Sequence, residues 1–216
     1  MSSLALSLVG LILAGAGAGW IIAYVSQRLP EQPIDFKAPR YRLLALAGAA
    51  IGGVSALWAV PSFGVTAGVM TALLGWQLLL IGLIDFEHFW LPDAVTAPLA
   101  VSGLLANVLL APPLAVGWLA SVVSALVAFA MLGLLALLYR LIRKRKGLGG
   151  GDPILLGAGC AWVGLQDVLI VLAVASLGIV VTVLAARLMK RSFDAQGRLP
   201  YGTYLALGFA VAWVVT

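Results

Sequence analysis

Apolar residues run along this chain in long blocks separated by short polar stretches. Eight blocks stand out, at 4–26, 43–60, 65–84, 94–111, 114–138, 153–165, 168–189 and 201–216. A helix needs about 20 apolar residues to cross a hydrocarbon layer, so the pattern predicts an all-α polytopic membrane protein with about eight transmembrane helices. The sixth block is short, and the eighth ends the sequence. Pro61, the pair Pro112–Pro113 and the stretch Gly164–Asp167 mark expected turns between blocks. The first block opens as MSSLALSLVGLILAGAGAGW, with no basic residue ahead of it, and continues through Tyr24 and Val25. A signal peptide has a basic start and a shorter apolar region, so the block is read as a retained transmembrane helix.

Composition agrees with that pattern. Of the 216 residues, 63% are hydrophobic and 10% charged, where soluble domains carry about 25% charged residues. The net charge of +5 therefore does not suggest a nucleic-acid partner; in a membrane protein Lys and Arg report orientation first. All 13 fall in three connections: Arg28, Lys37, Arg40 and Arg42; Arg140, Arg143, Lys144, Arg145 and Lys146; and Arg187, Lys190, Arg191 and Arg198. With eight alternating spans these connections share one side with the 85–93 connection. The positive-inside rule makes that side cytoplasmic and puts both termini on the periplasmic side. The run Arg143–Lys146 suits topology setting and contact with anionic membrane lipid. No polar stretch exceeds about 15 residues, which leaves one integral membrane domain over 1–216. Cys160 is the single cysteine, so neither a disulfide nor a thiolate zinc site is expected. The glycines of the first two blocks suit close helix packing.

Charge then singles out the acids. Glu31, Asp35, Asp167 and Asp194 are expected as solvated loop charges. Asp85, Glu87 and Asp93 lie in LIDFEHFWLPD (83–93), and Asp152 lies in GLGGGDP (147–153). Asp85 and Asp152 end and begin apolar blocks on the same side of the membrane, and an acid near the hydrocarbon boundary is costly and marks function. Asp152 before Pro153 also reads as a helix N-cap, as does Asp93 after Pro92. Asp85 stands at the C-terminal end of its own helix, where the dipole disfavours an anion, so no capping role is expected for it. Two neighbouring carboxylates share a proton: one takes a proton from water while the other, protonated, polarises a carbonyl. Carboxylate pairs also serve proton-coupled transport. His88 reads as an interfacial loop residue and the tryptophans as interface or packing residues.

The two acidic motifs together resemble the signatures of the type IV prepilin peptidases, membrane aspartic peptidases of the GxGD class. Asp85 and Leu91–Pro92–Asp93 match the first signature, and Gly149, Gly150, Gly151 and Asp152 match the second. Weaker likenesses extend over most of the chain: YVSQRLP (24–30), PRYRLLAL (39–46) and RLPYGTYLALG (198–208), the last similar to a Pro-Phe-Gly-Pro-x-Leu-Ala-like helix start.

The resemblance implies that Asp85 and Asp152 are the catalytic dyad. It implies that Gly149 and Gly151, taking positive φ, admit an extended substrate, and that Leu91, Pro92 and Asp93 shape the loop. It further implies a bacterial inner-membrane enzyme that cuts the basic leader of type IV prepilins, or of type II secretion pseudopilins, after a Gly on the cytoplasmic side. Proteolysis of this kind needs no cofactor. Many such enzymes then methylate the new N-terminus with S-adenosylmethionine. The chain departs from the pattern in four places. The connection at 28–42 is short and lacks the Cys-x-x-Cys pairs of the family's zinc module, so no metal is assigned. Ala45 replaces a Glu in a region linked with methylation, Ile154 replaces a Lys, and Glu87 replaces an Asp. On the residues alone, a small proton-coupled transporter and a catalytically inactive assembly factor remain alternatives.

Overall fold

The computed structural model describes residues 3–28, 36, 38–144, 149–189 and 199–215. Glu31, Asp35, Lys37, Arg145, Lys146, Lys190, Arg191, Asp194 and Arg198 lie outside them, as does part of the 28–42 connection. Among the described residues there are eight helices: α1 Ser3–Arg28, α2 Pro39–Phe63, α3 Val65–His88, α4 Asp93–Leu109, α5 Trp118–Arg143, α6 Asp152–Val163, α7 Val168–Leu188 and α8 Tyr201–Val215. Each of the eight apolar blocks holds one helix. Five of them, α1, α2, α3, α5 and α7, are long and apolar enough to cross a membrane. The other three, α4, α6 and α8, have 17, 12 and 15 residues. The chain is thus an all-helical, multi-pass membrane protein. Pro61 does not mark a turn: α2 runs past it to Phe63 and stops at Gly64, whose φ of 87° ends the helix. The missing N–H of Pro61 removes one intrahelical bond, and α2 ends two residues later.

The chain divides into two compact units, residues 1–80 and 81–216. In the first, α1 lies against α2 along a seam of small residues. A Cβ on Gly15 or Gly19 would strike the backbone carbonyl of Gly48 or Leu44, and one on Gly52 would strike that of Leu11. Without side chains at these positions the two backbones touch, and dispersion replaces the hydrophobic drive that lipid does not supply. Trp76 of α3 fastens to this pair through its indole N–H on the Gly48 carbonyl, at 3.0 Å.

The second unit is organised around α6. All but one of its twelve residues are buried, and at about 1.5 Å per residue it is roughly 18 Å long. It is too short to reach from one surface to the other, so its last carbonyls need partners inside the protein. Asn107 of α4 supplies one set: its amide Nδ2 donates to Ala161 O at 2.8 Å and to Trp162 O at 3.3 Å, while its Oδ1 accepts from Val116 N–H at 2.8 Å. The Ser121 hydroxyl of α5 donates to the same Ala161 carbonyl, and Ser124 accepts from Leu165 N–H at 2.9 Å. Trp162 fills the space between, with its indole N–H on Leu99 O and its ring edge-on to Trp213 of α8. These bonds close the end of α6 opposite Asp152.

Replacing Asn107 with Leu strips two hydrogen bonds from the α6 carbonyls and one from the Val116 N–H. A loss of about 1–3 kcal/mol is expected, read as a lower thermal midpoint in detergent. Replacing the exposed Leu105 with Ala tests the same helix away from the network and is expected to change the midpoint far less.

Candidate active site

Three chain segments far apart in sequence meet at the Asp152 end of α6. The first is the end of α3 with the residues that follow it. The second is the glycine stretch that opens α6. The third is the first turn of α8. The chain leaves α3 through Phe89, a non-glycine residue with φ of 51°, and this left-handed turn sends Leu91 inward. Leu91 is 7% exposed and is the wedge between the other two segments. A Cβ built on Gly151 would lie 2.7 Å from Leu91 Cβ, and one on Gly202 would lie 2.7 Å from Leu91 Cδ1. Glycine is needed at both positions because Leu91 occupies the space.

This corrects the expectation for the glycines. Gly151 has φ of −83°, and Gly149 is not among the glycines with positive φ. Their value lies in absent side chains rather than in left-handed backbone. A Cβ on Gly149 would sit 3.1 Å from Asp152 Oδ2, close to the place where its N–H donates to that oxygen at 2.9 Å. Asp152 is therefore not an N-cap in the ordinary sense. Gly151 holds the cap position, no side chain caps the helix, and the Asp152 carboxylate turns back onto the loop. Pro153 does stand in the first helical turn, where its missing N–H costs nothing. Asp93 likewise does not cap α4. Pro92 holds that position, and Asp93 is the first helical residue, exposed, with its charge favourable to the helix dipole.

Asp85 is 5% exposed, as is Asp152. The expectation that Asp85 has no helix end to cap holds only for its own helix. Its Oδ2 accepts from the Thr203 N–H at 2.8 Å and lies 3.3 Å from the Thr203 hydroxyl, and the Gly202 N–H donates to the same carboxylate. Asp85 thus sits on the N-terminus of α8, where free N–H groups and the helix dipole favour an anion. Gly202 makes this approach feasible, since a Cβ there would stand 3.0 Å from Asp85 Cγ.

Asp152 stands ahead of the apolar stretch of α6, outside the five long helices. Burial pushes its carboxyl up to about 6; the Gly149 N–H works against that rise, and the charge of Asp85 adds to it. The charge of Asp85 thus acts on the Asp152 carboxyl. The Asp152 charge also reaches the Tyr201 phenol at the head of α8. His88, at the end of α3, is half-buried and 3.7 Å from Glu87. Asp93 and Ile154 both line a cavity of about 240 Å³ beside the site, walled by Thr96, Leu126, Phe129 and Gly157. Asp167, expected as a solvated loop charge, is 6% exposed instead. It lies just before α7, away from these segments in the chain order, and lines a small cavity with Pro113, Val116 and Trp213. Sequence reasoning missed Gly202 and Thr203 as neighbours of Asp85. The only pointer to them was the helix-start likeness at 198–208.

The sequence profile of the type IV leader peptidase family matches residues 72–185, just over half of the chain. The chain belongs to the type IV leader peptidase family. The matched stretch holds Asp85, Leu91–Asp93 and Gly149–Asp152, and stops short of α8. Among curated relatives, the chain is 37% identical over 184 residues to a prepilin leader peptidase/N-methyltransferase of Pseudomonas aeruginosa, covering 81% of this chain and 58% of that protein. It is 33% identical over 176 residues to a protein of the same name from Aeromonas salmonicida, with the same shares. It is 30% identical over 201 residues to another from Xanthomonas campestris, covering 91% of this chain and 64% of that one. The chain thus spans about three fifths of the length of these relatives. No solved structure matches it.

A buried acid whose carboxyl is raised binds its proton more tightly when folded, so the folded state loses stability as pH rises from the ordinary carboxylate range through about 6. Asp152→Asn keeps an oxygen for the Gly149 N–H and removes the charge. Its thermal midpoint is expected to exceed wild type at pH 8, by about 3 kcal/mol of stability at most. The difference is expected to vanish near pH 4. A gain that is independent of pH would show that the charge is not strained.

Proposed function

We propose that this chain is a membrane aspartic endopeptidase that cleaves the leader of type IV prepilins, or of type II secretion pseudopilins, after Gly. Asp85 and Asp152 are its catalytic pair. The observation that carries this reading is the burial of two aspartates, 67 positions apart, at one end of one helical unit, close enough for one charge to act on the other. Burying two like charges costs stability that a structural role does not repay, and such pairs are the means by which enzymes hold one carboxyl protonated beside one ionised.

In the reaction, one carboxylate accepts a proton from a water molecule as that water attacks the scissile carbonyl carbon. The other carboxyl, protonated, donates to the carbonyl oxygen and stabilises the tetrahedral intermediate. Return of a proton to the amide nitrogen lets the C–N bond break. Leu91, Pro92, Gly149 and Gly151 keep the two acids in register, and Asp93 sits on the rim of the neighbouring cavity.

The proposed topology takes all eight helices as membrane-embedded parts of one domain in the bacterial inner membrane, with both termini periplasmic and the aspartates facing the cytoplasm. The segregation of all basic residues to three connections on the Asp85 side supports it. The apolar side chains exposed along α1, α5 and α7 are suited to lipid. Methylation of the new N-terminus is a finer proposal, suggested by the names of the relatives. The cavity beside the site is apolar apart from Asp93 and Thr96, a poor match for S-adenosylmethionine, which is charged and polar.

Co-expression with a prepilin carrying a basic leader tests the reading. Wild type is expected to release the leader, seen as a gel shift and as a mass that places the cut after Gly. Asp85→Asn and Asp152→Asn are each expected to lower the rate by about 10²–10⁴-fold. Unchanged processing by either variant would remove the dyad. The same mass shows whether a methyl group follows.

A further inference from the structure

The contacts at the head of α8 extend the site beyond the two aspartates. The Thr203 hydroxyl donates to the Gly82 carbonyl at 2.9 Å, one turn before Asp85 on α3, while lying 3.3 Å from Asp85 Oδ2. The Thr203 N–H donates to that same oxygen at 2.8 Å. One residue thus clips the first turn of α8 to the last turns of α3 through its hydroxyl and supplies its N–H to the carboxylate. Among the described residues Asp152, by contrast, receives one backbone N–H, from Gly149. The donors are distributed unequally over two equally buried acids. Hydrogen bonds from N–H groups stabilise the charged form of a carboxylate, and a helix N-terminus adds to that.

We infer that Thr203 is a positioning residue that holds Asp85 as the ionised member of the pair, leaving the shared proton on Asp152. The inference rests on the peptidase reading and completes it: Asp85 is the base that takes the proton from water, and Asp152 is the acid that donates to the scissile carbonyl. The proton balance closes when Asp85 returns its proton to the leaving nitrogen as Asp152 regains its own. Among the described residues, the titratable groups near Asp85 are Asp152 at the head of α6, which interacts in turn with Tyr201 at the head of α8, and Glu87 and His88 on the last turn of its own helix.

Three variants separate the parts of this clip. Thr203→Ser keeps both donors, Thr203→Val keeps the N–H alone, and Thr203→Pro removes both in a first helical turn, where proline is tolerated. With a leader peptide as substrate, Ser is expected to retain wild-type kcat within about twofold. Val is expected to lose about tenfold and Pro about 100-fold, with KM changed less than about twofold. Val equal to wild type, Ser as poor as Val, or a loss confined to KM would overturn the positioning role.

The assignment of the proton has a separate readout that needs no turnover. Infrared spectra of the purified protein at about pH 5, below the value of about 6 for Asp152, are expected to show a carboxylic-acid band. That band should persist in Asp85→Asn and be lost in Asp152→Asn. The reverse pattern would overturn the assignment even if cleavage is normal. The expected pattern would sustain it even if the chosen peptide is not cut, in which case it is the peptidase reading that fails.

Discussion

A carboxylate withdrawn from water must be met by donors, and in a chain so poor in polar side chains those donors are mostly backbone N–H groups. Helix starts are the places where such groups are free. The site follows from this. Asp85 ends one helix and lies on the start of another, α8, while Asp152 folds back onto the loop that opens its own. Among the described residues no Arg or Lys pairs with either carboxylate, and a fixed cation would hold both acids ionised. Backbone donors are weaker, and they leave the pair free to carry one proton between them. That is the electrostatic condition for the chemistry proposed above.

Backbone donors can be reached only where no Cβ intervenes, which explains why the site is rich in glycine. Gly202 lets Asp85 lie on α8, Gly149 lets Asp152 reach the loop N–H, and Gly151 makes room for Leu91. Leu91 then fixes the spacing of the three segments by filling the volume the glycines leave. The motif is therefore a packing device as well as a chemical one. Its leucine and glycines are mutually dependent, since enlarging a glycine displaces Leu91 and shrinking Leu91 removes the reason for the glycines.

Much of this architecture was legible in the hydropathy pattern. Each apolar block became a helix because a chain in lipid has no other way to satisfy its backbone locally, and Asp85 and Asp152 stood out because acids are rare at block ends. What escaped was tertiary. Asp85 looked unsupported because a linear reading supplies only its own helix dipole; the opposing dipole belongs to α8, more than a hundred residues later. The glycines of 149–151 suggested positive φ because that is glycine's commonest reason in isolation, whereas here the reason is a neighbour, Leu91, whose position follows from the turn at Phe89. Pro61 read as a helix end because the pattern cannot tell a last turn from a break. Asp167 read as solvated because short loops between spans usually are, yet it is buried just before α7.

The length of α6 ties these observations together. A helix of full span would carry Asp152 and its far end to opposite surfaces, each free to find water. At twelve residues α6 instead ends inside the protein, and Asn107, Ser121 and Ser124 take up its last carbonyls and the following N–H. That anchorage fixes the axial position of α6 independently of lipid, and with it the depth of Asp152. Asp85 is fixed separately, by α8. The alignment of the two acids thus depends on two hydrogen-bonded clamps at opposite ends of the unit: the Asn107 network sets one acid's height and the Thr203 clip sets the other's. A change at either clamp should therefore act on the pair even though the Asn107 network touches neither carboxylate.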